Sequence, residues 1–196
     1  MVSDLMKTIA IIPVRSSSKR FLGKNFSAFN GTTLIENTIA KLRKARIDDI
    51  IISTDAIQKV IHLPVMVMER PYELAQDNSK TEDVILNVIE KLQYPPEEDY
   101  IVVLAQVTAP NWSPHSLIYA INRLEDKKVD SVVSVSPNFQ PNGAFYVIKK
   151  STFLLHKKLY LPNMYLVDLQ WKESTDIDFE YQLYIAEAIA RGNYDE

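Results

Sequence analysis

The sequence predicts a three-layer α/β fold: a mostly parallel, Rossmann-like sheet covered by helices on both faces. Two observations predict it. Short, continuous apolar runs recur along the chain, as strands buried on both faces require. Between them lie stretches with helical apolar spacing, and near-strict alternation of strand and helix gives right-handed crossovers and a parallel sheet. No repeat, low-complexity tract or linker interrupts the 196 residues, so 1–196 reads as a single domain.

The elements follow in order. Thr8–Val14 (TIAIIPV) is the first buried strand, and a polar, basic loop follows from Arg15 to Asn25. From Leu34 to Ile47, apolar residues at Leu34, Ile35, Ile39 and Leu42 with basic residues in the last turn predict an amphipathic helix. Asp49–Ser53 is the second buried strand. Ser79-Lys-Thr-Glu82 has the spacing of a capping box, and Val84, Ile85, Val88, Ile89 and Leu92 line one face of the helix after it. Tyr100–Ala105 is another strand. Ser113 before Pro114 predicts a capped helix running to about Lys127. Ser131–Val135 and Ala144–Ile148 are the next strands, and Phe179–Arg191 is a final helix capped by Gly192.

Composition narrows the function. With 22 basic against 25 acidic residues the net charge is −3, too even for a nucleic-acid binder. Cysteine is absent, which excludes disulfides, thiolate metal sites and thiol nucleophiles and fits a reducing compartment. The N-terminus lacks an apolar signal region, and the run from Ile9 to Val14 is too short to span a bilayer; a cytoplasmic protein with no membrane partner is expected. His62, His115 and His156 have no ligand spacing, and no nucleophile elbow is present.

Ligands of such sheets bind at the carboxyl ends of the strands. The Arg15–Asn25 loop (RSSSKRFLGKN) starts there, with four basic residues, three serines and Gly23. Serines and glycine let backbone N–H groups turn toward an anion, and the cations neutralise it, so a triphosphate suits the loop; a solvated basic loop is the plain alternative. The loop is neither a Walker A motif nor a Gly-x-Gly-x-x-Gly fingerprint. Asp176 and Asp178, two apart in an extended segment, can face one hard cation such as Mg²⁺ or Mn²⁺; alternatively they are a helix cap and a solvated acid. Asp55 reads as a turn residue after its strand.

Taken together, Ile11–Asn25, Ile51-Ile-Ser-Thr-Asp55, Arg70-Pro-Tyr-Glu-Leu-Ala-Gln-Asp77, Gln106-Val-Thr-Ala-Pro110, Pro141-Asn-Gly-Ala-Phe-Tyr146 and Asp176-Ile-Asp178 resemble, in order, the motifs of the acylneuraminate cytidylyltransferases (CMP-sialic acid synthetases). The resemblance implies a fold of the nucleotide-diphospho-sugar transferase type. It implies transfer of CMP from CTP to a sialic-acid-like 2-keto sugar acid. By this resemblance Arg15, Ser18, Lys24, Asn25, Arg70 and Thr81 serve the nucleotide, with Arg15, Lys24 and Asp178 catalytic. Gln106, Asn142 and Tyr146 serve the sugar, and Asp176 and Asp178 hold Mg²⁺ or Mn²⁺. The residues leave plainer readings open: a surface ion pair of Arg70 with Glu69 or Glu73, a tight Pro-Asn-Gly turn, and a core aromatic for Tyr146.

Two departures stand out. The family's long excursion before the Asn-Gly pair, which contributes dimer contacts and basic residues for the sugar carboxylate, shrinks here to the residues between about 136 and 141. Any homodimer therefore needs another surface. The family's Gln-Pro-Thr-Ser-Pro-Leu-Arg stretch becomes Gln106-Val-Thr-Ala-Pro-Asn-Trp112, without its serine and arginine. A nucleotidyltransferase with another nucleotide or acceptor, and a reduced nucleotide-binding family member, are the alternative readings.

Overall fold

A computed structural model describes residues 6–18, 20–126 and 128–192. Seven strands form one sheet: β1 (Thr8–Val14), β4 (Asp49–Thr54), β5 (Met66–Glu69), β6 (Ile101–Ala105), β7 (Ser131–Val135), β8 (Pro141–Lys149) and β9 (Met164–Asp168). Two short strands, β2 (Ala28–Phe29) and β3 (Thr32–Thr33), make a separate antiparallel pair. The helices are α1 (Leu34–Lys44), α2 (Thr81–Lys91), α3 (Pro114–Asp126), α4 (Lys150–His156) and α5 (Glu180–Ala190).

The sheet order is β5-β4-β1-β6-β8-β7-β9, and only β8 runs against its neighbours. That reversal follows from chain length. The five residues from Ser136 to Gln140 can close a hairpin but cannot carry the crossover that a parallel pair demands. From β1 the chain moves outward to β4 and β5, then returns to place β6 on the other side of β1. The carboxyl ends of β1 and β6 therefore flank a crevice, the usual ligand position in such sheets.

Alternation along each strand feeds two cores. Ala10, Ile12 and Val14 pack with Leu34, Ile35, Ile39 and Leu42 of α1, Leu117 of α3 and Leu183 of α5. Ile9 and Ile11 point the other way, with Ile85 and Val88 of α2 and Phe153 of α4. Each central strand must therefore be apolar at every position, which is why the runs are continuous.

Several boundaries differ from the sequence expectation. α1 stops at Lys44 rather than Ile47, because Arg46 turns left-handed (φ 59°) and the Ile47 N–H donates back to the Leu42 carbonyl at 3.2 Å. Ser79 does not cap α2. Its hydroxyl accepts from the Gln76 N–H (3.1 Å) and donates to the Glu73 carbonyl (2.7 Å), while extended Lys80 occupies the cap position. The capping box belongs to α1, where Thr33 and Glu36 satisfy each other's backbone N–H groups. Pro141-Asn-Gly is not the turn; it lies inside β8, and the turn is Ser136–Gln140. Ser113 does cap α3, taking the Ser116 N–H at 3.1 Å; that helix ends at Asp126, and Lys127 lies outside the described residues. No helix among the described residues is long and apolar enough to cross a membrane.

Candidate active site

A cleft of about 250 Å³ opens at the carboxyl ends of β1 and β6. Its wall takes Arg15, Lys24 and Asn25 from the basic loop, Arg70 from beyond β5, Thr81 from the first turn of α2, and Gln106 to Thr108 after β6. Six of the residues selected from the sequence thus meet in one place.

The loop is built from its own backbone. Gly23 sits at φ 71°, a left-handed conformation that glycine adopts freely, and this starts the short turn Lys24–Phe26. The Asn25 amide donates to the Arg15 carbonyl at 2.9 Å and pins the two ends of the loop together. Ser16 is held by Asp55, whose carboxylate accepts from its N–H at 2.7 Å and from its hydroxyl at 2.5 Å. Asp55 is therefore more than a turn residue: it sets where the loop leaves the sheet. Across the cleft, Arg15 pairs with Asp77 at 2.7 Å.

Lys24 joins this loop to the acidic segment. Its ammonium donates to the Ile177 carbonyl at 2.9 Å and to the Asp178 carboxylate at 3.0 Å. Arg20 reaches the other oxygen of Asp178 at 3.0 Å. Ile177 is fully buried and its N–H donates to the Thr108 carbonyl at 2.8 Å, so its neighbours Asp176 and Asp178 turn outward together. Asp176 is exposed as a residue, yet its carboxyl is desolvated. That desolvation, with the Asp178 charge beside it, raises its pKa; a Thr108 hydrogen bond and the Lys24 charge pull the other way.

Arg70 is buried rather than paired with Glu69 or Glu73 at the surface. Its Nε donates to the Ser53 hydroxyl at 3.2 Å and its Nη2 to the Ser53 carbonyl at 2.5 Å. Desolvation lowers its pKa to about 10, with Asp55 opposing and Arg15 adding to the shift. Among the described residues no carboxylate forms an ion pair with Arg70, and a buried cation so placed is a natural acceptor of an anionic ligand.

The other selected residues are placed differently. Ser18 is buried within its loop and does not line the cleft. Gln106 does line it, packed so closely over Gly143 that a Cβ there would lie 3.1 Å from its Oε1. Asn142 is buried in β8: its Oδ1 accepts from the Ser134 hydroxyl (2.7 Å) and the Ala144 N–H (3.1 Å), leaving Nδ2 without a partner among the described residues. Tyr146 sits in the core with its hydroxyl 2.9 Å from that of Tyr160, and burial first, then that hydrogen bond, raises its pKa. The plainer reading of Tyr146 as a core aromatic fits this placement. Sequence reasoning passed over Arg20, Asp77 and Thr108, although each lies in or beside a motif that had been noted.

Comparison with known proteins bears on this geometry. Residues 9–168 match the family model described as "Cytidylyltransferase". The chain belongs to the cytidylyltransferase family. It is similar to the N-acylneuraminate cytidylyltransferase of Streptococcus agalactiae, with 27% identity covering 88% of this chain and 51% of that protein. It is also similar to the CMP-N,N'-diacetyllegionaminic acid synthase of Legionella pneumophila, with 34% identity covering 67% of this chain and 59% of that protein. The chain thus spans about half the length of the curated relatives it matches. In fold it resembles a CMP:2-keto-3-deoxy-manno-octonic acid synthetase solved with CTP, at a TM-score of 0.74 and 13% identity over 96% of this chain and 100% of that one. The cytidylyltransferase fold is therefore the mostly parallel α/β sheet expected from the sequence.

Proposed function

We propose that this cytidylyltransferase-family chain binds CTP in the cleft at the ends of β1 and β6 and transfers its CMP to a 2-keto sugar acid of the sialic-acid type. The observation that carries this is the Lys24 bridge, which joins the basic loop to Asp178 at 3.0 Å. Had the loop and the acidic pair lain apart, no phosphate could have met both.

In this reading Arg15, Lys24 and the N–H groups of the Ser-rich loop receive the β- and γ-phosphates, Ser18 and Asn25 shape that loop, and Arg70 and Thr81 serve the nucleotide on the opposite wall. The anomeric hydroxyl oxygen of the sugar acid bonds to the α-phosphorus. The bond from that phosphorus to the bridging oxygen breaks, pyrophosphate leaves with the electron pair, and the hydroxyl proton is released. Charge grows on the departing pyrophosphate, and preorganised cations lower the energy of that state. Gln106, on the cleft wall, faces the acceptor side, backed by Gly143 and the Ala144 carbonyl of β8, while Asn142 and Tyr146 are assigned to the same side from within that strand.

Two carboxylates suit a divalent metal in chemistry, although both oxygens of Asp178 now face Lys24 and Arg20 at 3.0 Å and a metal would take the place of at least one of these cations. Asp176 and Asp178 flank a buried residue, and their mutual repulsion is what a hard cation relieves. No cluster of three or more potential ligand side chains occurs among the described residues, so substrate phosphates and water would complete the shell. When bound, Mg²⁺ or Mn²⁺ supplies charge neutralisation and Lewis acidity at the α-phosphate. A second reading, a nucleotide-binding member with reduced turnover, is favoured by the five-residue β7–β8 turn and by the burial of Tyr146.

The test is pyrophosphate release with each nucleoside triphosphate against a panel of sialic, legionaminic and 3-deoxy-octulosonic acids. CTP-dependent release with one of these acids is expected; a requirement for UTP or GTP overturns the cytidylyl assignment. Calorimetric CTP binding without turnover on any acid selects the second reading. In the same assay Asp178→Asn is expected to lower metal-dependent turnover by at least ~100-fold with its fold intact.

A further inference from the structure

Behind the cleft wall, the loop that follows β6 is held by a lysine from another element. Lys41, in the last turn of α1, points its ammonium at the carbonyls of Pro110 and Trp112, the latter at 2.7 Å. Asn37, one turn earlier, donates to the same Pro110 carbonyl at 3.0 Å. The Lys41 ammonium also lies 5.3 Å from the centre of the Trp112 ring, which is wholly buried and packs edge-on against Phe145 at 5.7 Å.

The same loop reaches the site at its other end. Gln106, Val107 and Thr108 line the cleft, and the Thr108 carbonyl accepts the Ile177 N–H at 2.8 Å. A second tie runs from the Ser113 N–H to Glu173 at 2.8 Å, three residues before Asp176. The Pro110–Trp112 stretch is thus continuous with Gln106 on one side and tied to the acidic segment on the other.

We propose that Lys41, assisted by Asn37, is a positioning residue that anchors the 106–113 loop and thereby sets the places of Gln106 and of the Asp176–Asp178 segment. An apolar side chain of similar length would fill the same space without desolvating a charge, so the ammonium is there for its donors. Burial pushes its pKa down to about 8, with Glu173 opposing and Lys44 adding to the shift. The fold carries that cost because two loop carbonyls facing α1 need donors.

The inference rests on the cytidylyl-transfer reading only for its kinetic arm; a second arm is independent of turnover. Hydrogen exchange on the whole chain compares wild type, Lys41→Met and Lys41→Arg. Lys41→Met is expected to lose protection at the amides of Ala109, Ser113 and Ile177, whose N–H groups are hydrogen-bonded, with β1 and β4 amides unchanged, and Lys41→Arg to recover most of it. In the kinetic arm, Lys41→Met lowers kcat by roughly 10- to 100-fold while the CTP dissociation constant stays within about twofold, because the phosphate loop is held separately. Wild-type exchange in the loop of Lys41→Met overturns the proposal. So does an even loss of protection across β1, β4 and β6 with CTP affinity falling alongside kcat, which marks a merely structural lysine. If Lys41→Met does not fold, Asn37→Ala replaces it: partial deprotection of the same amides supports the proposal, and none refutes it. Absence of turnover in wild type with any acceptor defeats the proposed function and leaves the exchange result to decide the role of Lys41.

Discussion

The two halves of the cleft are built by different means. On the proposed phosphate side, Arg15 and Lys24 come from the basic loop and Arg70 from beyond β5, and each is held by a hydrogen bond or ion pair of its own. Of the three residues proposed for the acceptor side, Gln106 alone lines the cleft; the Asn142 Oδ1 is taken by Ser134 and Ala144 and the Tyr146 hydroxyl by Tyr160. The first half holds charge ready for a ligand. The second is a folded strand that a ligand touches at its edge. Under the proposed function, binding of phosphates would depend on single side chains, whereas acceptor recognition would depend on how β8 packs.

The largest expected effect lies on the phosphate side. Lys24→Met removes a cation whose ammonium touches both the Ile177 carbonyl and Asp178, leaving Arg20 as the cation paired with Asp178 among the described residues. Turnover is expected to fall by about 10³-fold, or about 4 kcal/mol of transition-state stabilisation, with the circular dichroism spectrum unchanged. Pyrophosphate release at saturating CTP reads it. A loss below tenfold would break the contrast, because the charged half would then carry no more of the reaction than the packed half.

Gly143→Ala probes the acceptor side through its backbone. The residue sits at φ 70°, beside the register shift between Val133 and Val135, and the new Cβ would press on Gln106 Oε1. The left-handed backbone alone costs about 1–2 kcal/mol. Steady-state kinetics are expected to show the acceptor KM rising roughly five- to tenfold, with the CTP KM moving less than twofold. Equal movement of both would mean that the halves are one packed unit.

The contrast also explains what the sequence disclosed. The strands of the sheet centre are continuous apolar runs, so β1, β4, β6 and β7 were legible at once; β5 and β9, edge strands with one half-exposed side, were not. α4 follows β8 directly and is seven residues long, too short for a clear helical period. The basic loop was legible because charge and serine concentrate in eleven consecutive positions at the end of a strand. The role of Asp55 beneath Ser16, and of Lys41 beneath Trp112, was not, since each contact joins residues at least 39 positions apart. The Ser79–Glu82 box misled because the spacing was right while the serine hydroxyl was already taken by the turn before it.

The smallest expected effect tests the acidic pair without turnover. Desolvation first, then the neighbouring Asp178, raises the pKa of Asp176 from its ordinary value, so ionisation is less favourable in the folded state than in the unfolded one. That penalty is present at neutral pH and fades as pH falls through the raised value toward the ordinary one. Asp176→Asn should therefore be slightly more stable than wild type at pH 7 without metal, by about 1–2 °C in the unfolding midpoint once solvent screening of an exposed residue is allowed for. The gain should shrink in acid and vanish below the ordinary carboxylate range. Millimolar Mg²⁺ should then reverse the order, raising the wild-type midpoint and leaving Asp176→Asn in place, because only the intact pair binds the ion in preference to the unfolded chain. Equal shifts of both proteins would separate Asp176 from the metal and leave the phosphate half of the cleft with its cations alone.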